Sequence, residues 1–315
     1  MLSESRGLRK RDRSGRFTPA VSVSQTNWAI LSFVVLALLV LSPLPFLSGQ
    51  LKPAGSVTAK ASNDWLKTLL AKGSKDIPVS PAHPEMRLHI YEDFDTASPH
   101  YGVKLCWLLL PHSSIRMAVA DVRTSAESNS IYAALAQNSD VVVSNGGFFG
   151  YGPKSSYLPV GLVIANGKAS SPQAKWSSGG AIIQANGTPT IVPQSALNSL
   201  HAVQEAVQSK PMLVEGGQPG IQSDSKPAFN RVSVGVDKNG DVIVAGAFQG
   251  DGSAVNLVEL SAFLAAPRKM GGPEAFYALN LDGGPDAHLF FPAIRLHLGY
   301  GGQNFVPNAI RFYWK

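Results

Sequence analysis

The sequence predicts an α+β fold, a mixed and mainly antiparallel sheet packed with several helices and preceded by one N-terminal transmembrane helix. Short apolar or alternating runs recur between turn signals from Met86 to the end, helical spacing is confined to a few stretches, and a charge-free apolar run spans residues 28–47. The 30 Gly and 22 Pro fit a turn-rich chain, and with 15% charged and 44% hydrophobic residues the chain is not a highly charged disordered one.

Residues 1–27 form a basic tail. Six Lys and Arg stand there against two acidic residues, a balance of +4 within the chain's +6. A basic tail ahead of an apolar run holds the N-terminus on the cytoplasmic side, so the high pI of about 9.4 reflects topology, and no nucleic-acid partner is expected. The run Trp28 to Leu47 has the length of a membrane span and no charge, with Pro43 and Pro45 disturbing its last turns. A cleavable signal peptide is the alternative, but the leader before the run is long and no A-x-A directly follows it. The expected localisation is therefore a single-pass cell-membrane protein with an extracytoplasmic C-terminal domain.

Residues 48–85 read as a spacer with one helix-like patch at Asn63 to Lys72, and residues 86–315 as the folded domain. Its runs include RLHIY, VKLCWLLL, DVVVSN, VGLVIANG, VSVGVDKNGDVIVAGAF and FYALNLDGG. Asn186-Gly187 and Asn239-Gly240 supply hairpin turns. Helical spacing marks Asn129 to Gln137, Ser195 to Gln208 and Asn256 to Ala266, with Ser195 and Asn256 as caps. Cys106, the single cysteine, sits in an apolar run and reads as buried and inert.

Several chemistries are excluded. Gly167-Lys168 lacks the spacing and hydroxyl of a Walker loop, and no G-x-G-x-x-G occurs. Ser144 follows an apolar strand, yet Val142 stands where a nucleophile elbow needs glycine. The seven histidines form no zinc-ligand set. No cofactor is expected, although a carboxylate-bound divalent cation stays open.

Three Gly-Gly turns close apolar runs and hold polar residues beside them: Asn145-Gly146-Gly147, Glu215-Gly216-Gly217 and Asp282-Gly283-Gly284. Glycine lets a ligand approach the backbone and exposes amides, so together the turns suggest one cleft. With these motifs the sequence resembles the phosphodiester glycosidases related to the lysosomal enzyme that uncovers mannose 6-phosphate. The resemblance rests on VVVSNGGFF, PVGLVIANGK, SKPMLVEGG, the Arg231-led hairpin, NLVELSAFLA, ALNLDGG and PNAIRF, in that order. It departs after LDGG, where relatives carry small or hydroxyl-bearing residues and this chain has Pro285, Asp286, Ala287 and His288.

The resemblance implies a glycosidase that cleaves a sugar-1-phosphodiester or a related cell-envelope or exopolysaccharide glycan outside the cytosol. Breaking such a C1–O bond needs a carboxylate for the oxocarbenium-like state, and Asp282 is the first candidate. Glu215 or Asp251 is the second carboxylate, activating water. Arg231 is the phosphate clamp, helped by the amides of Gly146 and Gly147, with Gly283 and Gly284 closing the other turn. Asn145 can bind a sugar hydroxyl, and Tyr151 and Trp176 can stack on a sugar face. A non-catalytic glycan-binding or assembly module, and a cation-dependent phosphodiesterase that breaks P–O, remain the alternatives.

Overall fold

The computed structural model describes residues 59–126, 132, 135–152, 157–197, 202–224, 226–300 and 304–315. Its largest element is an eight-stranded antiparallel sheet. The order is Lys75–Pro78, Arg87–Glu92, Lys104–Leu110, Val242–Phe248, Arg231–Val236, Tyr277–Gly283, Met212–Glu215 and Gln218–Pro219. A second sheet orders Thr188–Pro193, Gly180–Ala185, Val203–Ser209, Val163–Ala165 and Lys168–Ser171. A third orders Leu296–Gly299, His288–Phe291, Asp140–Asn145, Asn304–Trp314 and Ile115–Ala126, and a short ribbon pairs Phe149–Tyr151 with Tyr157–Pro159.

The central strands of the large sheet are buried on both faces, so they read as nearly continuous apolar runs. Along Lys104–Leu110, Cys106, Leu108 and Leu110 enter a core shared with Met117, Ile182, Val207 and Phe312 of the other two sheets. Leu105 and Trp107 point the other way, onto Leu66, Leu69, Leu260 and Phe263 of two helices. That period of two follows from strand geometry. Cys106 is fully buried, and burial pushes its thiol up to about 12, so it is no nucleophile.

The expected α+β class is corrected. The architecture is mostly antiparallel sheet, with two α-helices among the described residues, Ala59–Ala71 and Leu257–Ala265. The second matches the expected helix after Asn256, whose side chain and Glu259 form a capping box. The expected helix from Ser195 to Gln208 is instead a short 3-10 turn at Gln194–Ala196 and the strand Val203–Ser209. Ala202, at φ +63°, breaks any helix there, and pairing with Gly180–Ala185 overrides helical spacing. The stretch from Asn129 to Gln137 falls mostly outside the described residues. Asn186-Gly187 makes the expected two-residue hairpin, with Ala185 opposite Thr188 and both turn residues at positive φ.

Within the expected spacer, Ala59–Ala71 buries Leu66, Leu69 and Leu70 against the large sheet, and Lys75–Pro78 forms its edge strand. The expected transmembrane anchor and the single-pass membrane localisation drawn from it find no support among the described residues. No helix among the described residues is long and apolar enough to cross a membrane, and residues 28–47 lie outside them. Ala59–Ala71 has 13 residues, about 20 Å of helix against the roughly 30 Å of a hydrocarbon core.

Candidate active site

The ends of three strands converge. Asp140–Asn145 delivers Asn145 and the two following glycines, Tyr277–Gly283 delivers Asp282, and Arg231–Val236 begins with Arg231 opposite Gly283. The ladder between the last two shifts register between Arg231 and Ser233, a bulge of the kind that re-aims side chains beside sites.

Asn145 joins two sheets. Its Nδ2 donates to the Asp282 carbonyl at 2.9 Å, its Oδ1 accepts from the His288 amide at 3.1 Å, and the Asp282 amide donates to the Gly146 carbonyl at 3.1 Å. With both ends of its amide engaged and the residue 2% exposed, Asn145 ties the strand end of Asp282 to that of His288.

The glycine amides are likewise engaged. Gly146 N–H donates to the Asn308 carbonyl and Gly147 N–H to Asn308 Oδ1, each at 3.0 Å, so neither is available to clamp a phosphate. These residues are glycines because of close packing. A Cβ on Gly146 would overlap Asn308 Oδ1, and one on Gly147 would lie 2.6 Å from the Gln208 carbonyl. Gly283 N–H donates to Asp282 Oδ1 at 2.8 Å, and Gly284, at φ +67°, donates to the Asn230 carbonyl at 2.8 Å.

The structure brings Asp282 and Arg231 together. Arg231 is 7% exposed, its guanidinium packs over Gly283 and lies 5.2 Å from the Phe229 ring, and its Nε and Nη2 have no hydrogen-bond partner among the described residues. Burial lowers its pKa, opposed by the charges of Asp224 and Asp282. The Asp282 carboxyl is raised to about 7, chiefly by burial and further by the Asp286 charge, against the lowering pull of the Gly283 amide and Arg231. A carboxyl near 7 exchanges a proton at neutral pH.

Glu215 and Asp251 do not join this pair as placed by sequence. Val214 pairs with Ala278, so the exposed Glu215 continues away from Asp282, which lies about 13 Å further along that strand. A cavity of about 330 Å³ near Gly216, Gly217, Lys238 and Phe276 sits at that remote end, away from the carboxyl with the shifted pKa. Asp251 is exposed in a turn where its Oδ1 accepts from the Ser253 amide, and its loop reaches the site's rim through Asn230 N–H, which donates to the Gly252 carbonyl. Tyr151 is 81% exposed on the short ribbon, in contact with Tyr157. Trp176 is half-buried on the flank of Gly161, beside Lys210 Nζ at 5.1 Å from its ring.

Three contributors lie outside the expected set. Asp286 and Asp282 line one narrow crevice with Gly146, Gly147, Phe149 and Asn308. Asn230 and Asn308 each carry a buried Nδ2 without a partner among the described residues, both in residues that accept site amides. The acid of Asp286 is visible in the sequence, but no local pattern marks Asn230 or Asn308. Among the described residues no group of three or more His, Cys, Asp or Glu forms a metal-binding cluster, and no step is routed through a cation.

The phosphodiester glycosidase family model matches residues 138–313, more than half of the chain and all the strand ends that build this site, and the chain belongs to that family. Its members are glycosidases, hydrolases of glycan-type substrates. The catalytic domain of zebrafish N-acetylglucosamine-1-phosphodiester alpha-N-acetylglucosaminidase, auto-inhibited by its pro-peptide, is similar in fold at a TM-score of 0.52 and 15% identity, over 84% of this chain and 95% of that one. A hypothetical protein from Synechocystis is similar at a TM-score of 0.46 and 15% identity, over 72% of this chain and 62% of that one. No curated protein matches the sequence.

Proposed function

We propose that the protein hydrolyses a sugar-1-phosphodiester at the C1–O bond, with Arg231 holding the phosphodiester and Asp282 giving its proton to the departing oxygen. The observation that carries this reading is the buried Arg231, two of whose donors have no partner among the described residues, beside a carboxyl raised to about 7. A buried cation without its full set of acceptors is costly, and an anionic phosphodiester supplies them. The Nδ2 groups of Asn230 and Asn308, also without a partner among the described residues, are further donors for phosphate or sugar oxygens. A phosphate ester leaves readily, so a proton source near neutrality and a clamp suffice at the leaving group. Tyr151 and Trp176, on the flanks, are sugar-stacking candidates.

The test is release of free sugar from a panel of methyl esters of sugar 1-phosphates. Arg231→Met is expected to lower kcat/KM about 10- to 100-fold, the worth of charge-assisted hydrogen bonds, without lowering the thermal midpoint. Unchanged kcat/KM in that variant would remove Arg231 from the site.

A further inference from the structure

We propose that Trp176 and Lys210 form a subsite for an anionic sugar unit next to the reacting one, so that the preferred substrate is an acidic glycan. The inference rests on the reading of the site as a glycosyl phosphodiester hydrolase and names the class of glycan it takes.

The subsite is mounted on Gln208, near the end of the strand Val203–Ser209. Gln208 is 1% exposed and spends its whole side-chain amide on the loop that carries Trp176 and on that loop's neighbours. Its Oε1 accepts the Ala174 amide at 2.8 Å and the Leu162 amide at 2.9 Å, and its Nε2 donates to the Ala174 carbonyl at 2.8 Å and to Gln194 Oε1 at 2.6 Å. A buried amide with both lone pairs and both N–H groups matched fixes the loop two residues before Trp176.

The main chain of Gln208 links this loop to the crevice. A Cβ on Gly147, which lines the crevice with Asp282, would lie 2.6 Å from the Gln208 carbonyl. A Cβ on Gly161 would lie 3.0 Å from the same carbonyl and 3.0 Å from Trp176 Cη2. These contacts in series carry the wall of the crevice to the edge of the Trp176 ring, and glycine at both positions permits the close approach.

Lys210 follows two residues after Gln208. Its carbonyl accepts Asn280 Nδ2 at 3.1 Å, and Asn280 stands two positions before Asp282 on the same strand. The exposed Lys210 ammonium lies 5.1 Å from the centroid of the Trp176 ring, and no carboxylate pairs with it among the described residues. Lys175, beside Trp176 in the chain, is also exposed and without a carboxylate partner among the described residues.

A half-buried tryptophan with a cation at its face matches a sugar that bears a negative charge. The ring takes the apolar C–H face of the sugar and the ammonium takes the anion. The lysine stem is flexible, so Nζ can leave the ring face as the sugar occupies it and bind a carboxylate or sulfate on that sugar. Arg231 stays with the phosphodiester, and the two cations read two anions of one substrate.

The experiment uses methyl esters of disaccharide 1-phosphates built on the sugar that the wild type cleaves, with glucose, glucuronate or glucose 6-sulfate as the outer unit. The wild type is expected to favour an acidic outer unit about fivefold in kcat/KM, through KM, as an exposed ion pair allows, and to lose that preference at high salt. Preference for the glucuronate, the sulfate or both identifies the anion. Lys210→Gln is expected to bring the ratio close to one and Lys210→Arg to keep it, with folding checked by thermal melting. Trp176→Leu is expected to raise KM for acidic and neutral esters alike, and an unchanged KM would remove the platform. Equal kcat/KM for the three esters in the wild type, or an undiminished preference in a folded Lys210→Gln, would overturn the subsite. Failure of the wild type to cleave any ester would instead overturn the underlying reading of the site. Calorimetric titration with the free disaccharides then decides the subsite: tighter binding of the glucuronyl or sulfated one, abolished in Lys210→Gln, upholds it, and equal binding of all three overturns it.

Discussion

Asp282→Asn is expected to lose on the order of 10²–10⁴ in kcat while becoming more stable than wild type above neutral pH. The two effects share one cause. Burial, aided by Asp286, raises this carboxyl from 3.8 to about 7, so the folded protein favours its neutral form. The stability contributed by holding the proton is fully present below pH about 4 and is lost as pH rises through about 7. Asparagine stays neutral and its Oδ1 can still accept the Gly283 amide, so it avoids a loss of up to about 4 kcal/mol at high pH. Denaturant midpoints should therefore coincide near pH 4 and separate in favour of the variant at pH 8. The wild-type kcat/KM should fall above pH about 7, where the proton donor is ionised. A variant less stable than wild type at pH 8 would show that Asp282 is held ionised.

Gly146→Ala should destabilise the domain by about 3 kcal/mol, a cost at the upper end for overpacking. The added methyl would overlap the Asn308 side chain and lie 2.9 Å from its carbonyl, the same group that accepts the Gly146 amide. Moving Asn308 away would free two amide donors inside the structure, so relaxation is blocked. At about 2–4 °C per kcal/mol for a domain of this size, the thermal midpoint should drop by roughly 6–12 °C. Gly216→Ala, at the remote Gly-Gly turn, has no atom within 4 Å of the added Cβ and its cost comes from φ +61° alone. An equal midpoint for Gly146→Ala and wild type would remove the packing account of the Asn-Gly-Gly motif.

Strands were legible because burial imposes a period the chain displays. The alternation of Leu105 and Trp107 against Cys106 and Leu108 is written in consecutive residues. The strand Val203–Ser209 was not legible, because its partner ladder lies in residues 180–185 and 163–165 and its own spacing also suits a helix. The site divides in the same way. Asp282 and Arg231 carry charge beside a turn and could be named from their types. Asn145 could not be assigned, since its partners Asp282 and His288 stand 137 and 143 positions away. The partner of the Gly146 and Gly147 amides is hidden for the same reason, because Asn308, which accepts from both, comes from the last strand. Glu215 shares a motif with the site glycines, yet the direction of its strand carries it to the far end of the sheet.

Arg231 as the proposed clamp and Asp282 as the proposed proton donor would also serve a phosphodiesterase that attacks phosphorus. Hydrolysis of a sugar-1-phosphodiester in water enriched in heavy oxygen, with mass analysis of both products, separates the two. Label in the free sugar, with an unlabelled phosphate monoester, is the result expected for C1–O cleavage assisted by Asp282. Label in the phosphate would contradict it.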